Sequence, residues 1–236
     1  MKRFLLIFAA VLSLASCSAY RYVAKDAPEI EEMTLVIPYS RIYYVDKEGD
    51  KYDSLRSSDQ QKMLAGILMT SGLNINKTIN VEGLPNQEEL DADILFLPGL
   101  DPKKVDEVIA DGPLEDLIRQ SGARYGMVFF SEGFIKDKAL YRKELTTAIL
   151  AGVAGAVVGG AIGGATGVYV SPVVSYVGMA YGTALFTMVV DTETNKIVYY
   201  NRTKVEEVDP MKMESISSLI QNKLLRKFPA KTASSK

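Results

Sequence analysis

The fold of this chain is decided by the stretches ALFTMVV (184–190), DTETN (191–195) and KIVYYNRT (196–203). The first and third stretches are rich in β-branched and aromatic residues, which favour strands. The polar stretch between them is typical of a short turn, and strands joined by a short turn pair antiparallel. The sequence therefore predicts a β-hairpin near the C-terminus.

The remaining patterns predict a mixed sheet of about five or six strands with covering helices, an α/β (α+β) fold. Further strands are expected at 33–39, 74–81, 93–97 and 125–130, the third of them short and buried. Helices are expected from Ser57 to Gly72, from Asp101 through Ile109, from Leu114 to Gly122 and from Ile216 to Phe228. In the second helix, Val105, Val108 and Ile109 are expected to face the core.

Composition excludes several classes of protein. The chain has 236 residues, 47% of them hydrophobic, and a net charge of −2, which argues against a disordered polyelectrolyte and a strongly basic nucleic-acid binder. It contains no His, so His-based catalytic triads and His metal sites are impossible. Its single Cys excludes an intramolecular disulfide and a Cys-rich metal cluster.

The N-terminus has the pattern of an export signal. Lys2 and Arg3 precede an apolar run at 4–12 that is too short to span a bilayer, and LASC (14–17) follows. This tetrapeptide resembles the bacterial lipobox, which implies cleavage before Cys17 and lipidation of its thiol. The alternative is an ordinary secretory signal with a chance Cys. Ser18, in place of an Asp, implies sorting to the outer membrane.

The expected organisation has four parts. Residues 1–16 form a signal peptide, and residues 17–32 carry the lipidated Cys and a tether. Residues 33–228 form an α/β periplasmic domain, and residues 229–236 form a polar tail. The domain contains an apolar insertion at 145–183, since no charged residue lies between Glu144 and Asp191.

The first half of this insertion is rich in glycine. Spacings of four residues would place these glycines on a bare ridge of a helix, along which a second backbone packs closely. Each Gly costs about 1 kcal/mol relative to Ala in a helix, so seven cost on the order of 7 kcal/mol unless packing offsets them. The segment resembles the glycine zippers of small outer-membrane lipoproteins. The glycines assigned to membrane or subunit packing are Gly152, Gly155, Gly159, Gly160, Gly163, Gly164 and Gly167.

Four structures remain open for this insertion. It forms a self-packed helical hairpin that touches or enters a membrane, a buried contact between subunits, a pair of transmembrane β-segments, or a flexible linker. Since strands of one domain flank it, the insertion must return to the side that it left. Residues 173–190 alternate as a strand does, with Tyr176, Gly178, Ala180 and Gly182 on one face.

The hairpin sequence, the lipobox and the element order together resemble a broad group of bacterial envelope lipoproteins. The turn matches the pattern of Asp191, Thr194 and Lys196 followed by an apolar strand. The group includes the curli export-channel lipoproteins and the amino-terminal domain of the Tol-system propeller protein. The resemblance implies an α/β periplasmic domain that assembles into envelope complexes.

No pattern in the sequence indicates an enzyme, a metal site or a cofactor. The turn at 191–195 opens like a calcium loop, but Lys196 and Arg202 replace the Gly and Glu that such a loop requires. Acidic pairs such as Glu88-Glu89 and Asp106-Glu107 are expected on the surface. We therefore expect a non-enzymatic outer-membrane lipoprotein that faces the periplasm and scaffolds an envelope complex. Its expected partners are the membrane, other envelope proteins or itself, and not nucleic acid. A subunit of a secretion or export pore is the alternative, and an enzyme acting on envelope polymers is a third class.

Overall fold

The computed structural model describes residues 21–27, 29–150 and 178–229 of the chain. Within these residues the sheet has eight strands: β1 (Arg21–Val23), β2 (Met33–Val36), β3 (Tyr39–Asp46), β4 (Gly49–Tyr52), β5 (Ile75–Ile79), β6 (Tyr125–Lys136), β7 (Tyr181–Asp191) and β8 (Lys196–Arg202). The sheet is mixed, because β2 and β3 run parallel to β6 while β7 and β8 run antiparallel to their neighbours. The predicted fold class is confirmed, with more strands than the five or six expected.

The predicted hairpin is confirmed as β7 and β8. Asn195 closes its turn with a φ of +52°, a conformation that Asn tolerates better than most residues. On its other side β7 pairs along its whole length with β6, from Tyr125 opposite Asp191 to Ile135 opposite Tyr181. The sheet order is β1-β8-β7-β6-β2-β5, and β3 continues along β6 beyond β2 and pairs with β4.

Helices cover both faces of the sheet. They are α1 (Ser54–Met69), α2 (Gln87–Phe96), α3 (Pro113–Gln120), α4 (Lys138–Leu150) and α5 (Met213–Leu219), the last continued by a π-helical turn at Ile220–Leu224. Apolar residues of α1 and α5 share one core with Leu35, Met127 and Phe129. Apolar residues of α2 and α3 share the core on the opposite face with Val128 and Phe130. Successive residues of β6 therefore serve different cores, as the alternation of a strand requires.

Two expected elements are wrong. The run at 93–97 was predicted as a strand, but it belongs largely to α2, where Leu90 and Ile94 are buried one turn apart and Phe96 is 61% exposed. The expected helix from Asp101 is only a 3₁₀ turn at Val105–Glu107, and Ile109 is 76% exposed instead of facing the core. The backbone of this segment contacts the hairpin turn instead: the N–H of Ala110 donates to the carbonyl of Asn195 at 3.0 Å.

The domain also begins earlier than residue 33. Within the expected tether, Arg21–Val23 forms β1, which pairs antiparallel with β8. Ile30 is 1% exposed in the core, and its N–H donates to the carbonyl of Pro229 at 2.8 Å. Residues near the N-terminus and the C-terminus of the domain are thus held together by these contacts. The tether is therefore shorter than the sequence predicts.

Candidate functional site

The residues assigned a role from sequence lie outside the described part of the chain. Cys17 and the seven glycines from Gly152 to Gly167 all belong to segments that the structure does not describe. Their lipidation and packing roles remain predictions. The structure does describe the residues on either side of the glycine-rich segment, and these define its attachment to the sheet.

The two strands that flank α4 and the apolar segment, β6 and β7, pair at one end of the sheet. Ile135 near the end of β6 lies opposite Tyr181 at the start of β7, and the N–H of Lys136 donates to the carbonyl of Ala180 at 2.8 Å. We call this end of the sheet the insertion end. The strands on either side of the segment are therefore neighbours in one sheet, and the return of the segment to the side of a membrane that it left stays a prediction. The bounds differ from 145–183, since residues 145–150 belong to α4 and residues 181–183 belong to β7.

Asp137 joins the sheet to α4. Its side chain accepts hydrogen bonds from the backbone N–H groups of Ala139 at 2.9 Å and Leu140 at 3.1 Å, which is N-terminal capping. The bond from Leu140 is the main cause that lowers the pKa of Asp137 below its usual range. The hydroxyl of Tyr44 on β3 donates to the same carboxylate at 3.2 Å. Sequence analysis missed this helix start, although an Asp ahead of a run of helix-forming residues is its ordinary signal.

An ion pair between buried Lys136 and half-buried Glu144 holds the second turn of α4. The Nζ of Lys136 lies 2.6 Å from Oε2 of Glu144, and the Lys136 side chain is only 5% exposed. Leu140 of α4, which lies between Lys136 and Glu144 in the sequence, packs against the core that α2 and α3 cover. Desolvation offsets much of the attraction in such a pair, so its main effect is on the position of α4 and less on stability. The helix that leads into the apolar segment is therefore held against the sheet.

A second charged group lies deeper on the same face. Glu132 of β6 is fully buried, and Arg41 of β3 is its register partner. The guanidinium carbon of Arg41 lies 5.8 Å from the ring centroid of Tyr39, and burial raises the pKa of both Tyr39 and Tyr43. An acid and a base in register offset one another's charge within the sheet. None of these residues was singled out from sequence, since their juxtaposition depends on the pairing of β3 with β6.

The edge strand β1 runs away from the insertion end, so its first residue, Arg21, is the one nearer that end. Arg21 pairs with Asn201 and Val23 pairs with Tyr199, so Arg21 lies nearer the end of β8. The end of β8 lies toward the insertion end, because Arg202 pairs with Phe186 whereas Lys196 pairs with Asp191. Arg21 therefore lies about 20 Å along the strands from the insertion end, level with Thr187 of β7.

The turn at 191–195 is a structural hairpin turn, as predicted. The carboxylate of Asp191 is 3% exposed and receives two hydrogen bonds from the Arg124 guanidinium, at 3.2 Å and 2.9 Å. A third comes from the backbone N–H of Glu193 at 3.0 Å. The oxygens that would begin a calcium loop are therefore already satisfied. Across the described residues, no three acidic or Cys side chains converge as a metal site would require.

Other carboxylates occupy helix starts. Glu88 and Glu89 lie in the first turn of α2, where negative charge favours the helix dipole. Asp93 accepts from the backbone N–H of Leu114 at the start of α3 at 3.3 Å, and burial raises its pKa. Glu88, Glu89 and Asp93 thus have structural roles at the starts of helices. Among the helices that the structure describes, none has both the length and the apolar character to cross a bilayer.

Comparison with known proteins yields only weak structural likenesses. No known protein family and no curated protein matches the sequence. The C-terminal domain of LpoB from Salmonella enterica aligns with 13% identity and a TM-score of 0.28, covering 75% of this chain and 84% of that domain. Lipoprotein GNA1162 from Neisseria meningitidis aligns with 9% identity and a TM-score of 0.32, covering 84% of this chain and 99% of that one. At these scores neither likeness establishes a shared fold or function.

Proposed function

We propose that this chain is a non-enzymatic lipoprotein of the bacterial outer membrane, which faces the periplasm and scaffolds an envelope complex. In this proposal residues 1–16 are removed as a signal peptide and Cys17 carries the lipid. Two or more acyl chains anchor a protein stably, whereas one binds only marginally. The glycine-rich segment supplies close packing against the membrane or a second subunit.

One observation carries the proposal: the sheet begins with Arg21, four residues after Cys17. Only residues 18–20 separate Cys17 from β1. Fully extended, the four steps from Cys17 to Arg21 span at most about 14 Å. A lipid on Cys17 therefore holds the β1 edge of the sheet within about 14 Å of the bilayer surface.

The attachment of α4 adds to this argument. A flexible loop needs neither an ion pair nor a capped helix at its base. The Lys136–Glu144 pair and the Asp137 cap hold the chain in a set direction where it enters the apolar segment. Such control of direction suits a segment that packs against a defined surface, either a bilayer or another subunit.

Metabolic labelling with a fatty-acid probe tests the anchor. We expect the wild-type chain to be labelled and to sediment with outer membranes, and the Cys17→Ala variant to lose the label. A Ser18→Ala variant, which alters the neighbouring residue and spares the thiol, is the matched control and should remain labelled. An unlabelled wild-type chain would refute the proposal.

Deletion of residues 151–170 tests the packing role separately. We expect the lipidated deletion variant to remain at the membrane but to lose crosslinks to itself or to other envelope proteins in intact cells. A matched variant that keeps these residues and replaces Thr146 and Thr147 with Ala should keep the crosslinks. Identical crosslinking patterns in the wild type and the deletion variant would contradict a packing role.

A further inference from the structure

We infer that the exposed basic side chains of α4 bind the anionic headgroups of the bilayer that carries the lipid anchor. This inference rests on the proposed function and adds a second contact with the membrane. The side chains are Lys138, Arg142 and Lys143, and all three are exposed. Lys138 and Arg142 are four residues apart and thus lie on one face of the helix, with Lys143 beside them.

The charge that α4 presents to solvent is positive. Its one acid, Glu144, is turned toward the sheet and paired with Lys136. The ion pairs found in the described ranges do not include Lys138, Arg142 or Lys143. These three cations are therefore available to a ligand outside the chain.

The acidic groups at this end of the sheet are Asp46, Glu48, Asp50 and Asp137, and three of them, Asp46, Glu48 and Asp137, are engaged locally. The turn between β3 and β4 lies at the insertion end, since Val45 pairs with Lys136. There Lys51 lies 2.8 Å from a carboxylate oxygen of Asp46 and 2.7 Å from one of Glu48. Asp137 is occupied in capping α4. Local ion pairs thus reduce the negative charge that would oppose an anionic surface.

Position and charge together identify the ligand. The helix starts at the insertion end and leads directly into the apolar segment that is proposed to pack against the membrane or a second subunit. The whole chain has a net charge of −2, so an anionic surface attracts it only through local basic regions. Phosphate headgroups of the anchoring bilayer are the anions that this geometry brings to the helix. Attraction of this kind amounts to a roughly five-fold gain in binding per Lys or Arg near the surface.

Vesicle binding by a chain without lipid tests the inference. The protein is the chain from residue 17 with Cys17→Ala, and the vesicles contain either phosphatidylglycerol with phosphatidylethanolamine or phosphatidylcholine alone. We expect tighter binding to the anionic vesicles, and a loss on the order of 100-fold when Lys138, Arg142 and Lys143 are all replaced by Gln. Raising the salt should weaken the wild-type preference, since exposed charges are screened beyond about 10 Å at 0.1 M.

A second triple variant is the charge-matched control. Lys62→Gln, Lys103→Gln and Lys196→Gln remove the same charge from exposed positions on other elements. This control should keep most of the preference for anionic vesicles, and circular dichroism should show both triple variants folded. Equal losses in the two triple variants, or equal wild-type binding to both kinds of vesicle, would overturn the inference.

Fatty-acid labelling separates this inference from the proposed function. A labelled Cys17 together with charge-independent vesicle binding would refute the role of α4 and leave the anchor standing. An unlabelled Cys17 together with charge-dependent binding would refute the anchor and support the basic surface of α4.

Discussion

The Ile30→Ala substitution tests whether the folded domain includes residues of the expected tether at 17–32. Ile30 is 1% exposed and packs in the core shared with α1 and α5. A tether would tolerate the change without loss of stability. The result therefore bears directly on the short distance between Cys17 and the sheet.

The magnitude follows from the atoms removed. Ile→Ala deletes three carbon atoms, each worth about 0.8 kcal/mol when buried, which gives about 2.4 kcal/mol. The cavity left behind adds to this, because packed neighbours relax only in part. We expect the free energy of unfolding to fall by about 3 kcal/mol, within the range of about 2–5 kcal/mol seen for such core substitutions.

Urea unfolding of the Cys17→Ala chain, followed by circular dichroism, measures this change. Leu55→Ala is the matched control, since Leu55 is 73% exposed and its truncation should alter stability by no more than about 0.5 kcal/mol. If Ile30→Ala behaves like Leu55→Ala, residues 21–30 form a tether after all. A lipid on Cys17 would then no longer hold the β1 edge of the sheet close to the bilayer.

Four further substitutions test the packing of the sheet. Gly126→Ala would place a Cβ 2.5 Å from Cδ1 and Cγ2 of Ile118, so we expect a loss of about 1–3 kcal/mol in urea unfolding. Adding Ile118→Ala should cost less than the sum of the two single losses, and strict additivity would argue against the contact. Burial raises the pKa of Tyr199 to about 12. Its contribution to stability should therefore be complete below pH 10 and fall by about 1.4 kcal/mol per pH unit as the pH rises toward 12. Tyr199→Phe should reduce that slope, and an unchanged slope in alkaline urea titrations would contradict this assignment. The side-chain amide of Asn201 donates to the carbonyl of Leu224 at 2.5 Å in a buried site, so Asn201→Ala should cost about 1–3 kcal/mol and increase hydrogen exchange in the last helical segment.

Sequence patterns predicted the presence of some elements more accurately than the residues at which they begin and end. The first helix was expected from Ser57, but it begins at Ser54 because the Asp53 side chain accepts from the N–H of Arg56 at 3.0 Å. Ser57 serves another purpose, since its hydroxyl accepts from the N–H of Ile42 on β3 at 2.9 Å. A side chain that caps in one context can bind a neighbouring strand in another, and only the packed structure decides between them.

The run at 93–97 shows a different limit. A short apolar run suits a buried strand and a buried helix equally well, and periodicity cannot separate them. The packing of Leu90 and Ile94 one turn apart against the sheet selects the helix. The Lys136–Glu144 pair could not be predicted either, because the sequence does not show which charged residues are buried.

The sequence by itself determined the hairpin, the mixed α/β class, the export pattern ahead of Cys17 and the uncharged stretch after Glu144. These features depend on neighbouring residues, whose propensities and polarity act locally. Only the tertiary structure decided that β1 joins the sheet beside β8 and that β6 and β7, on either side of the apolar segment, are neighbours. These neighbours depend on which distant strands pair and in which sense, and pairing is set by the burial of both faces of the whole sheet.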